Sequence, residues 1–137
     1  MSPAAGSSDP LTERLGQGAV AILPAIISVL LMITTHRLRV ELGGVELPVG
    51  LLLGAAYQVL TCVFLWAVTA SRLPLVILGG LWGLLSMPFL GNGVGGGVLM
   101  PGALGEQPQY SGWIVQLLGV GIPFLAAGLL SLRRRGR

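Results

Sequence analysis

Val49-Gly50-Leu51-Leu52-Leu53-Gly54-Ala55-Ala56-Tyr57-Gln58-Val59-Leu60-Thr61-Cys62-Val63-Phe64-Leu65-Trp66-Ala67-Val68-Thr69-Ala70 runs without one charged side chain. A helix rises about 1.5 Å per residue, so roughly 20 such residues cross the ~30 Å hydrocarbon core of a bilayer. Similar stretches lie on either side, at about 15–35, 73–90 and 113–132. With 53% hydrophobic and only 9% charged residues, the four consume most of the 137-residue chain. The loops left over are too short to bury a core of their own. The expected fold class is all-α, an integral membrane four-helix bundle over 15–132. A disordered cytoplasmic tail at 1–14 precedes it and a basic cytoplasmic tail at 133–137 follows.

The net charge of +3 does not point to nucleic acid, because all eight basic residues are arginines placed at the edges of the apolar stretches. If the N-terminus is cytoplasmic, the inside segments hold six (Arg14, Arg72, Arg133, Arg134, Arg135, Arg137) and the outside segments two (Arg37, Arg39). Such a bias sets N-in and C-in with an even number of spans, in a multi-pass protein of the plasma membrane. The apolar run after Arg14 is not followed by a small-x-small cleavage site, so the first span reads as uncleaved. Pro24 within it predicts a bend rather than a break, since neighbouring helices re-satisfy the freed carbonyl.

Between the first two spans, Val40-Glu41-Leu42-Gly43-Gly44-Val45-Glu46-Leu47 sets one Val-Glu-Leu on each side of a glycine pair. Two alternating runs about Gly-Gly predict a tight β-hairpin at 39–48, because both central residues can take positive φ. Period two puts Val40, Leu42, Val45 and Leu47 on one face, resting on helix ends or headgroups, and Glu41 with Glu46 on the other. Those two carboxylates alone make a poor cation site, since Ca²⁺ takes six to eight oxygens. Spans two and three are joined only through Ala70-Ser71-Arg72-Leu73-Pro74, with Ser71 as a cap and Pro74 in the first turn, so they must be antiparallel neighbours.

The outer segment Gly91 to Gly112 opens Gly91-Asn92-Gly93-Val94-Gly95-Gly96-Gly97. Its formal G-x-G-x-x-G match lacks the surrounding βαβ unit and the later acidic residue that dinucleotide binding needs, so it reads as a glycine-rich outer loop. Cys62 is the single cysteine, with no disulfide partner, and reads as a small buried hydrophobe.

Membrane helices pack through small residues, because apolar side chains gain little by leaving lipid for one another. Gly50 and Gly54, Gly79 and Gly83, and Gly119 are the packing candidates, with Gly121, Ala127 and Gly128 as further points of close approach. They serve internal packing, self-association or docking to a larger partner. Gln58 and Gln116 are the costliest polar groups to leave in lipid, so both are expected to turn inward, as interhelical bonds or as the lining of a polar path. Ser28, Thr61 and Ser86 are lesser polar groups at depth. His36 sits at the outer end of span one beside Arg37, where interfacial solvation accounts for it. The residues offer no catalytic site, no metal ligand set and no cofactor motif, so an enzyme is not expected. A proton-coupled small exporter of similar length would need a buried carboxylate, which the spans lack. The tail arginines Arg133, Arg134, Arg135 and Arg137 are candidates for contact with anionic lipid, at about 1 kcal/mol each near a charged surface.

Leu47-Pro48-Val49-Gly50, Val98-Leu99-Met100-Pro101-Gly102 and Tyr110-Ser111-Gly112-Trp113 resemble an uncharacterised family of small four-span actinobacterial membrane proteins, over about residues 20–131. The resemblance implies the four-span layout and nothing about mechanism, since that family has no established activity. The glycines at 91–97 have no counterpart in it. The expected function is an accessory or assembly subunit of a larger membrane complex. The alternative is an oligomeric channel or facilitator for a neutral or lipidic solute. The expected partners are the lipid bilayer and a larger membrane complex or further copies of the chain.

Overall fold

The computed structural model describes residues 9–90, 103–104, 107–108 and 110–136. The glycine-rich stretch 91–97 and Arg137 lie outside them.

The chain is mostly helical. Helix α1 (Pro10–Ala19) begins inside the stretch 1–14 that composition assigns to a tail. The reason is local: Asp9 caps it, its Oδ1 accepting from the Leu11 N–H at 3.2 Å, and Pro10 enters the first turn, where its missing N–H costs nothing. Helix α2 (Ile22–Thr35) follows after only Val20 and Ala21, which keep right-handed helical dihedrals. The ladder changes register there, with the Ala21 N–H on Gly18 O at 3.1 Å. Pro24 explains the place, because its ring nitrogen cannot donate to Val20 O, four residues earlier. The chain stays helical across it, as one apolar stretch of 26 residues from Pro10 to Thr35.

Strands β1 (Val40–Leu42) and β2 (Val45–Leu47) form the hairpin expected at 39–48, in the register Val40 to Leu47, Glu41 to Glu46 and Leu42 to Val45. Gly43 and Gly44 take φ of 61° and 83°, the left-handed conformation of a two-residue hairpin turn. All six strand residues are exposed, so the apolar side rests on no helix end. An exposed Arg39–Glu46 ion pair at 3.4 Å spans the hairpin.

Helix α3 (Val49–Thr69) ends where Ala70 turns left-handed, at φ 48°. Ser71 Oγ then accepts from the Leu73 N–H at 3.3 Å, opening α4 (Leu73–Leu90) with Pro74 buried in its first turn. A two-residue pair, β3 (Ala103–Leu104) with β4 (Gln107–Pro108), precedes α5 (Tyr110–Arg135); the loop reading of 91–112 had no place for that ladder.

Among the described residues, three stretches are long and apolar enough to cross a membrane: Pro10–Thr35, Val49–Thr69 and Trp113–Arg135. The apolar part of α4, Leu73–Phe89, is shorter. It packs chiefly on α5 and α2. Two apolar clusters form the interior. One, toward the end of the bundle that carries Arg72, joins Ala21, Ala25, Cys62, Leu65, Leu75, Leu78 and Ala127. The other joins Val29, Met32, Ile33, Trp82 and Val115. A polar layer lies between them.

Candidate functional site

That layer is assembled from four helices. Gln58, on α3, is fully buried, and its Nε2 donates to Gly119 O on α5 at 2.7 Å. Its Oε1 accepts from Ser28 Oγ on α2. Ser28 Oγ in turn accepts from the indole Nε1–H of Trp82, on α4, at 3.1 Å. Each group therefore meets a partner, as burial at low dielectric requires.

The Gly119 carbonyl is free to accept for a reason written in α5. In an α-helix it would receive the N–H of the residue four positions on, but that residue is Pro123, which has none. Pro123 thus opens an acceptor in mid-helix and the Gln58 amide fills it from the neighbouring helix, the compensation that makes proline tolerable in membrane helices. Gly119 also leaves room for Trp82: a Cβ there would collide with the indole ring.

Gln116 makes a second interhelical contact. Its side-chain amide lies 2.8 Å from Ser86 Oγ, which lies 3.0 Å from Gly83 O. A hydroxyl carries one proton, so Ser86 Oγ donates to one of two acceptors at a time, Gln116 Oε1 across on α5 or Gly83 O within α4. Thr61 Oγ1 donates within its own helix, to Tyr57 O at 2.9 Å.

The glycine candidates divide in two. Gly50 sits against the Thr35 carbonyl and Gly54 against the Met32 sulfur, so this pair lies at the crossing of α2 and α3. On the facing surfaces of α4 and α5, a Cβ at Gly79 would come within 2.8 Å of the Phe124 ring, and one at Gly83 within 3.5 Å of Val120. Ala127 is buried in the core, whereas Gly121 meets only its own helix and Gly128 faces open space, so neither glycine is a point of close approach here. Gly80 is likewise open.

Two residues depart from the sequence reading. His36 is not solvated but 4% exposed, its Nδ1 2.8 Å from Ile33 O. Its Nε2 is buried with no hydrogen-bond partner among the described residues. The chain folds back at this helix end, with the Gly50 N–H on Leu38 O at 3.0 Å, and so covers the position. Trp82 was the residue missed. Its signal was a large side chain among Gly79, Gly80 and Gly83, small neighbours that give an indole room.

At the other end of the bundle, Arg133, Arg134 and Arg135 are exposed in the last turn of α5, where cations complement the helix dipole. Arg134 stacks 5.9 Å from the Trp66 ring centroid and its Nη2 lies 3.4 Å from Ala70 O. Cys62 is a buried free thiol. Among the described residues, no three His, Cys, Asp or Glu side chains come together as a metal site.

No protein-family model, no curated protein and no solved structure matches the chain.

Proposed function

We propose that this chain is a four-span protein of the plasma membrane, N-in and C-in, that works as an accessory or assembly subunit of a larger membrane complex. The layout is supported by the Ala70-Ser71-Arg72 turn, which reverses the chain between α3 and α4. At 18 residues α4 is about 27 Å long, close to the ~30 Å hydrocarbon core. The arginine asymmetry supports the orientation.

The observation that carries the subunit reading is the division of the glycines. Gly50, Gly54, Gly79 and Gly119 are spent on internal crossings, while Gly80 and Gly128 present bare backbone on outward helix faces. In lipid such positions let a further helix approach closely. A channel or facilitator would instead need Gln58 and Gln116 along a path, and both amides are engaged within the bundle. Acting through contacts rather than catalysis, the protein should co-purify with a stoichiometric partner from native membranes in mild detergent. Gly80→Leu with Gly128→Leu should release that partner and leave the chain folded. Solitary behaviour in native mass spectrometry from several mild detergents would sink the reading.

A further inference from the structure

An apolar groove of about 410 Å³ lies between α3, α4 and α5, walled by Val59, Cys62, Trp66, Ile122, Ala126 and Leu129. We propose that it holds an acyl chain of one anionic phospholipid, whose phosphate rests on Arg133 and Arg134. This inference stands apart from the subunit reading.

Two observations select this occupant. The first is length. Val59 is the midpoint of Val49–Thr69, and on α5 the groove runs from Ile122 to Leu130, where the adjoining recess continues to Arg133. The eleven steps from Ile122 to Arg133 span about 16 Å, close to half of the ~30 Å core, so groove and recess together cover one leaflet. The second is charge. Trp66 and Leu130 line both the groove and an adjoining recess whose remaining walls are Arg133 and Arg134. Neither arginine has an ion-pair partner among the described residues, and Arg134 also borders a polar cleft whose charged lining is Glu13, Arg14 and Arg72. The apolar groove thus opens at one end onto unneutralised guanidinium groups, the order of parts in an anionic lipid.

The test uses the full chain in phosphatidylcholine vesicles. They are titrated with phosphatidylglycerol brominated along its acyl chains, or with brominated phosphatidylcholine in a parallel arm. Quenching of Trp66 is obtained by subtracting the Trp66→Phe variant. The bound lipid should bring brominated phosphatidylglycerol to half-quenching at a mole fraction about tenfold lower than brominated phosphatidylcholine. Arg133→Gln with Arg134→Gln should abolish that preference. Ala126→Phe should close the groove and weaken quenching with all charges in place. Equal quenching by the two lipids in the native chain overturns the proposal. So does unchanged quenching in Ala126→Phe, which would leave only surface attraction. If Ala126→Phe fails to fold, Leu129→Phe on the same wall is read in its place, since the native chain's preference alone does not separate the groove from surface attraction.

Discussion

At the scale of the residue, the Gln58–Gly119–Pro123 relation is the most consequential. Gln58→Leu strips the partner from Gly119 O and leaves Ser28 with only the indole, which should cost about 1–2 kcal/mol. Pro123→Ala restores an N–H four residues beyond Gly119 and lets the helix satisfy its own carbonyl. The double variant should therefore lose clearly less stability than the two single losses summed. Reversible unfolding in detergent micelles, arranged as a double-mutant cycle, measures this. Strict additivity would mean that the proline and the glutamine are unrelated.

At the scale of the element, what a glycine touches should order the effects of adding one methyl group. Gly50→Ala meets the backbone carbonyl of Thr35, which cannot swing aside, and should cost more than Gly54→Ala, which meets the flexible end of Met32. Gly119→Ala pushes on an indole that fills the core, and belongs with Gly50 at about 1–3 kcal/mol. Gly80→Ala and Gly128→Ala meet nothing and should gain up to about 1 kcal/mol from helix propensity. Thermal unfolding of the five single variants under one detergent condition gives the ranking. A large loss at Gly128 would break it.

For the molecule as a whole, the arginine distribution makes a statement about sidedness. With Cys62→Ala as background, Glu41→Cys in the hairpin should react with a membrane-impermeant maleimide added to intact cells. Gly136→Cys should react only after the membrane is opened. The opposite pattern would invert the topology and place the hairpin inside.

Most of the elements were legible in the chain alone, though not the start of α1 or the β3–β4 pair. An uncharged run such as 49–70 can satisfy its backbone in lipid only by forming a helix, and Gly43-Gly44 between two Val-Glu-Leu triplets admits a tight hairpin and little else. Both signals are local, carried by residues adjacent in the chain. The start of α1 was local too, in Asp9-Pro10, but a small polar composition masked it. The partners, by contrast, follow from how the helices pack. That Gln58 would turn inward followed from the cost of leaving an amide in lipid. Its meeting with Ser28 and Gly119 depends on residues 30 and 61 positions away. Trp82 gave no periodic sign of its place, because a helix apolar on every side does not say which face is inside. The same holds for the glycines. A small residue permits close approach, and the packing of the neighbouring helix decides whether that approach is used, as at Gly50 and Gly119, or left open, as at Gly128.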